Sequence, residues 1–325
     1  MKNTKKMLSI LLALIMVVSL AACGSSSSAP AATAAPAAPA DSGSSAAAPA
    51  TEAPAPKTEL DAIKEAGVLT VAISPDFAPM EFVDSSKEGQ ESYVGFDVFL
   101  AKYIAEYLGV ALEIQAMNFD ACQTAVAMDA VDMSISGYSW TETRAENFEL
   151  SDPYFPDDNE SHQVLLVKEE DYEKFTSPES FAGATVGAQN ASLQMDLLTK
   201  QLPDAIPYPI GEIGVGVMEL MSGNIDAMAV AEGNADAILL NHEGLVKAQW
   251  EFDVSMESDG NVIMIHKGET ALLAAVNEAL ANAMANGLYS PWYAEAKEMA
   301  GLPTAEEVSL PDETVEEAPE EAAAP

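Results

Sequence analysis

Gly67-Val68-Leu69-Thr70-Val71-Ala72-Ile73-Ser74-Pro75-Asp76-Phe77-Ala78-Pro79-Met80-Glu81-Phe82 is the stretch on which the reading of this chain turns. Its first part, Val68–Ile73, is patterned as a strand. Downstream, residues 97–108 set Phe99, Leu100, Tyr103, Ile104, Tyr107 and Leu108 on one helical face. A strand that leads into a helix is the unit from which layered α/β domains are built.

The unit repeats outward from this stretch. A strand is expected near 112–115, a helix over about 119–128 and a strand at 131–136. A second series follows His162: strands at 164–167 and 185–188, helices over about 192–201 and 215–222, and a strand at 225–230. A strand at 262–265 and an amphipathic helix over 270–285 close it. That helix is expected to turn Leu272, Leu273, Val276, Leu280 and Met284 inward. Two α/β lobes with a cleft between them fit this order.

Both ends of the chain differ from this body. Lys2, Lys5 and Lys6 precede an apolar run at 7–20, shorter than the ~20 residues of a membrane-spanning helix. Leu20-Ala21-Ala22-Cys23 follows with the spacing of a lipobox, so residues 1–22 read as a lipoprotein signal and Cys23 as the lipidated start of the mature chain. Residues 23–56 are dominated by Ala, Ser, Pro, Thr and Gly and cannot bury enough apolar surface to offset their ordering entropy. They read as a disordered tether to the cell membrane, facing the extracellular side or the periplasm. Residues 303–325 carry acid without Lys or Arg and read as a disordered acidic tail.

The chain has 14 basic and 52 acidic side chains; without the three signal lysines 11 stand against 52, a formal charge of −41 on the mature protein. Such a surface repels nucleic acid and anionic membrane, leaving the lipid anchor as the membrane contact. After Cys23 only Cys122 remains, so no internal disulfide is possible. Apolar neighbours at helical spacing make Cys122 a core thiol. His162, His242 and His266 are scattered, with no spacing that builds a metal site, and no cofactor motif is present.

The quoted stretch, followed by Val94-Gly95-Phe96-Asp97-Val98, resembles the opening of the family 3 solute-binding proteins, which serve ABC importers of amino acids. The resemblance continues in order through Val131-Asp132-Met133-Ser134-Ile135-Ser136-Gly137, Thr141-Glu142-Thr143-Arg144-Ala145, Leu150-Ser151-Asp152-Pro153-Tyr154, Val186-Gly187-Ala188-Gln189, Ile225-Asp226-Ala227 and the 274–280 run. It implies a two-lobed periplasmic-binding-protein-like fold of type II. Two crossing hinge strands would join lobe one (57–161 and 258–302) to lobe two (162–257). The implied partners are a small amino acid or related carboxylate, an ABC permease and its ATPase. A monomer suits the fold.

The resemblance also implies a site. Arg144 falls at the family's Thr-x-x-Arg arginine, whose guanidinium grips the ligand carboxylate through paired charge-assisted hydrogen bonds. Gln189-Asn190-Ala191-Ser192 matches Gln-x-Gly-(Thr/Ser), so Ser192 is expected to meet the same carboxylate, to cap its helix, or both. Ala191 replaces the usual Gly, and a left-handed backbone there would be strained. Gly137 and Ser139 are implied for the ammonium. The family's lobe-two aspartate position falls on Ala231; either Glu232 takes over, or the ligand lacks a free α-amine. Phe77 and Phe119 are implied aromatic walls, while Met80 and Trp140 belong to core or cleft.

Two other classes share the fold. A cyclohexadienyl-dehydratase-like enzyme needs a carboxyl poised over substrate, for which Glu81 or Glu232 is available. A stand-alone sensor needs a membrane receptor. A binding protein needs no catalytic group, only full satisfaction of the polar atoms it buries, and this is the expected function.

Overall fold

The computed structural model describes residues 57–154, 162–254 and 260–303. The signal, Cys23, the tether, residues 304–325 of the tail and the expected lobe crossings lie outside these residues. No helix among the described residues is long and apolar enough to cross a membrane.

The chain runs through α1 (Glu59–Ala66), β1 (Val68–Ile73), β2 (Asp76–Phe77), β3 (Glu81–Val83), β4 (Tyr93–Val94), α2 (Phe96–Leu108), β5 (Ala111–Ala116), α3 (Phe119–Ala127), β6 (Met133–Ser139), α4 (Glu142–Asn147) and β7 (Glu149–Leu150). It continues with β8 (Gln163–Lys168), β9 (Thr185–Gln189), α5 (Leu193–Gln201), β10 (Ile206–Ile210), α6 (Ile213–Ser222), β11 (Ala227–Ala231), α7 (Glu232–Asn241) and β12 (Leu245–Lys247). Last come β13 (Asn261–Ile265), α8 (Thr270–Ala285) and α9 (Tyr289–Met299).

Two five-stranded sheets share one plan. The first, in lobe one, is ordered β5-β1-β6-β13-β7, and the second, in lobe two, β10-β9-β11-β8-β12. In each, the first three strands are parallel and the other two pair antiparallel. A parallel sheet whose first strand lies between its second and third has a topological switch point, and a crevice opens beyond the carboxyl ends of those strands. The ends of β1, β6, β9 and β11 are therefore where a site is expected on topology alone.

Local chemistry explains the elements. Thr58 opens α1 with a capping box: its hydroxyl accepts from Asp61 N while the Asp61 carboxylate accepts from Thr58 N. The strands buried on both faces, β11 and β13, are unbroken apolar runs apart from Asn261. Strand β10 carries Pro207 and Pro209 and was not expected from the sequence; it lies at a sheet edge, where a missing N–H costs no ladder bond. Helices α1, α4, α7 and α9 and the short strands β2, β3, β4, β7 and β12 were likewise not anticipated.

Gly95 ties the two halves of the opening motif together. The Phe96 and Asp97 N–H groups donate to Pro79 O and Met80 O at 3.1 and 2.8 Å. Gly95 has φ +121°, and a Cβ on it would lie 2.3 Å from Met80 O, so only glycine allows this approach.

Lobe one packs Leu69, Val71, Phe96 and Ile104 under α2 and α8, and lobe two packs Leu165, Val186, Phe181 and Leu197 under α5. Two expected inward residues are exposed: Tyr107 at 41% and Met284 at 52%. Met284 lies twelve residues beyond Leu272, about 120° round the helix, so Ala279 and Ala283 fill the stripe instead. Cys122 is in the core, where burial pushes its thiol up to about 12.

Candidate functional site

The cavity lies where the topology places it. Lobe one lines it with Asp76, Phe77, Glu81, Phe119, Ser136, Gly137, Ser139 and Arg144. Lobe two contributes Gln189, Leu193, Gln194, Ile213 and the Met228–Ala231 segment at the end of β11. Of the seven ligand contacts expected from the sequence, five meet here: Phe77, Phe119, Gly137, Ser139 and Arg144.

Arg144 is set by the turn that follows β6. Thr141 caps α4 by accepting the Arg144 N–H at 3.2 Å, which aims the side chain back toward Ser139. Nη1 donates to Ser139 O at 2.7 Å, and Nη2 crosses to lobe two and donates to Ala191 O at 3.0 Å. The guanidinium carbon stands 5.8 Å from the Phe119 ring centroid and 5.4 Å from that of Tyr138. The residue is 6% exposed, and no carboxylate among the described residues lies within ion-pair distance of it. Burial lowers its pKa, yet a guanidinium stays charged. Of its five N–H donors, two are occupied by carbonyls. A buried cation is costly to leave unpaired, and the chemistry of its remaining donors suits an anion.

Ala191 does adopt the left-handed backbone, at φ +59°. For a residue with a Cβ this costs about 1–2 kcal/mol. Lobe one holds it there: its carbonyl accepts from both Arg144 Nη2 and Gln123 Nε2, and Asn190 beside it donates to Asp120 Oδ2 at 2.8 Å.

The other two expected contacts lie elsewhere. Ser192 is buried, but its hydroxyl accepts from Met195 N at 3.2 Å as the N-cap of α5, and the residue does not line the cavity. Gln189 lines it instead, from the end of β9. Glu232 points to its own lobe, where Lys247 Nζ holds it at 2.7 Å and also pairs with Asp236. An ammonium already on that side draws the carboxylate away, so Ala231, not Glu232, faces the cavity. Met80 is core, and Trp140 is 40% exposed.

Five polar residues of the cavity, Asp76, Glu81, Ser136, Gln189 and Gln194, were not expected as ligand contacts from the sequence. Glu81 accepts from Ser136 Oγ and is wholly buried, and its Oε2 receives no N–H or O–H donor. Burial first, and then the neighbouring Asp97 carboxyl, raises its pKa far above the usual range. Asp97 Oδ2 in turn accepts from Gly137 N at 2.8 Å and Tyr154 Oη at 3.0 Å. Gly137 has φ +56°, and its missing Cβ leaves room for the Phe77 ring, whose edge would stand 2.8 Å away.

Asp76 is another of the five. Its Oδ1 accepts from Ser74 Oγ at 3.0 Å, and its Oδ2 accepts from lobe two, from Ile213 N at 2.7 Å and Gln189 Nε2 at 3.3 Å. Burial raises its carboxyl above the ordinary range, against these three donors. No group of His, Cys, Asp and Glu among the described residues is arranged to hold a metal.

Known proteins resemble this chain in sequence and in fold. Residues 69–295 match the profile of the bacterial extracellular solute-binding proteins, family 3. An arginine-binding extracellular protein of Bacillus subtilis is 28% identical over 236 residues, which cover 70% of this chain and 87% of that protein. An L-cystine-binding protein of Escherichia coli K12 is 24% identical over 230 residues, 70% of this chain and 82% of that one. A crystal structure of an amino acid ABC transporter substrate-binding protein of Streptococcus pneumoniae, bound to L-arginine, superposes with a TM-score of 0.67 at 31% identity, covering 74% of this chain and 98% of that one.

Proposed function

The chain belongs to the bacterial extracellular solute-binding proteins of family 3, and from that premise we propose that it is the lipid-anchored substrate-binding component of an ABC importer, taking up an amino acid between its lobes. Delivery is to a permease and its ATPase, and the protein turns over no substrate. Anchoring through Cys23 rests on the lipobox spacing.

One observation carries the reading: among the described residues the buried Arg144 guanidinium has no carboxylate within ion-pair distance, and only two of its donors are taken by carbonyls. An α-carboxylate accepting two of the remaining N–H groups completes the site. Gly137 and Ser139, at the end of β6, stand beside it for the ammonium, and Phe77 and Phe119 flank the side chain. Closure then follows from contacts available only when the lobes meet. Arg144 and Gln123 both reach Ala191 O, so the residue that binds the carboxylate also bridges the lobes. The named relatives bind arginine and cystine, which supports an amino-acid cargo.

Isothermal titration of a panel of L-amino acids against the wild type and Arg144→Ala tests this. Loss of the guanidinium leaves a buried carboxylate unpaired and is expected to weaken binding by about 3–5 kcal/mol. Equal affinity in the two proteins refutes the assignment.

A further inference from the structure

Arg144 is the only arginine in the 325 residues of the chain, and ring faces rather than an acid hold its charge. Its guanidinium carbon stands 5.4 Å from the Tyr138 centroid and 5.8 Å from that of Phe119, inside the roughly 6 Å reach of a cation–π contact. The two rings pack on one another, with centroids 4.8 Å apart and planes tilted by 39°. Phe119 lines the cavity, where it was expected as a wall. Tyr138 does not line it and is fully buried, in a cluster with Phe119, Cys122, Val126 and Phe148.

The Tyr138 ring is anchored in the sheet. Its hydroxyl lies 2.9 Å from Ser134 Oγ, and Ser134 donates its own proton to Ala72 O of β1 at 2.9 Å, so the Tyr138 hydroxyl is the donor of its pair. A ring tethered at its hydroxyl and packed at its sides keeps one position. What it offers a buried cation differs from what an acid offers. A carboxylate beside Arg144 would offset the charge and occupy the N–H groups that a cargo carboxylate needs. A π face stabilises the guanidinium through its quadrupole and leaves the N–H edge to carbonyls and to an anion. Ser139 O and Ala191 O take Nη1 and Nη2, and with the rings they orient the guanidinium through the protein's own groups.

Resting on the carboxylate reading of Arg144 above, we infer that Tyr138 is a positioning residue of this site: its ring supports and orients the charged Arg144 guanidinium for the cargo carboxylate, without touching the cargo and without competing for it. The affinity of the site for an anion is then set in part by a side chain outside the cavity wall.

A lone arginine makes the test direct, because one Nε–H signal represents it in a proton–nitrogen correlation spectrum of the isotope-labelled protein. Ring currents are expected to shift that signal away from the position of free arginine in the wild type and in Tyr138→Phe, and Tyr138→Leu to move it back. A wild-type signal at the free-arginine position overturns the inference whether or not Tyr138→Leu folds, and so does an unmoved signal in a folded Tyr138→Leu protein. Titrations with the tightest-binding L-amino acid of the panel read the consequence. Tyr138→Phe is expected to stay within about twofold of wild type, and Tyr138→Leu to bind about tenfold more weakly. Equal losses in the two variants overturn the inference, since the hydroxyl and not the ring face would then matter. Arg144→Ala keeps the two readings apart: wild-type affinity there sinks the carboxylate reading, whereas full affinity in Tyr138→Leu beside a weakened Arg144→Ala sinks only the role of Tyr138.

Discussion

The two walls of the cleft stand on sheets of identical strand order but carry unlike chemistry. Lobe one supplies Arg144, Asp76, Glu81, two aromatic rings and the β6 hydroxyls, while lobe two supplies mostly Leu193, Ile213, Met228–Ala231, the Gln189 and Gln194 amides and a strained carbonyl at Ala191. Their acids differ as well. Glu59, Asp76 and Glu81 of lobe one are all raised by burial, whereas Glu232 and Asp236 of lobe two sit on Lys247, and Asp226 faces Lys174. The charged groups of the cavity thus lie on lobe one, while lobe two adds amides, backbone and apolar surface and has its Ala191 carbonyl held by lobe-one donors.

That asymmetry can be broken most severely at the backbone of the lobe-one wall. Gly137→Ala places a methyl against the Phe77 ring at a left-handed φ and is expected to cost about 2–3 kcal/mol of stability, with weaker ligand binding; urea titration and calorimetry read both. On lobe two the matching loop should tolerate change. Ser192→Ala removes an N-cap and is expected to lower stability by about 1 kcal/mol, seen in the same urea titration. A loss of ligand affinity as large as that of Arg144→Ala would restore Ser192 as a ligand contact and shrink the difference between the walls.

A smaller effect runs the other way. Ala191→Gly relieves the left-handed strain but loosens the unfolded chain, so the net expectation is a gain of about 0.5 kcal/mol in unfolding free energy. If the gain appears only with ligand present, the strain belongs to the closed form alone.

The smallest change is in pH dependence. Burial, then Asp132, raises the Glu59 carboxyl to about 7 from an ordinary 4.5. The folded state thus holds the proton more tightly, and this contribution to stability is present at low pH and lost as pH rises through that window. Glu59→Gln should flatten the fall of melting temperature between about pH 4.5 and about pH 7; an unchanged slope would remove Glu59 from the lobe-one acids.

Most of the strands were legible because their residues are buried by type: Val68–Ile73, Gln163–Lys168 and Asn261–Ile265 are apolar or β-branched nearly throughout. Strand β10 was not, because its two prolines mimic a loop until the sheet edge that accommodates them is known. In the site, Arg144 and Gly137 could be placed from local motif spacing, since Thr141 and β6 position them within a few residues. Ser192 and Glu232 could not, because what each side chain meets is decided by Met195 N and by Lys247.

By itself, then, the amino-acid order determined the α/β class, through periodicity, and the family, through the ordered motifs that resemble it, and those motifs also pointed to Arg144, which the fold places on the cavity wall. Only the tertiary structure decided which acids line the cavity. Asp76 was in plain view in the opening stretch, but its meaning depends on Ile213 and Gln189, more than a hundred residues away in the chain and within hydrogen-bond distance in the fold. Long-range contact and burial give a carboxylate its neighbours and its charge, and neither is written in local sequence.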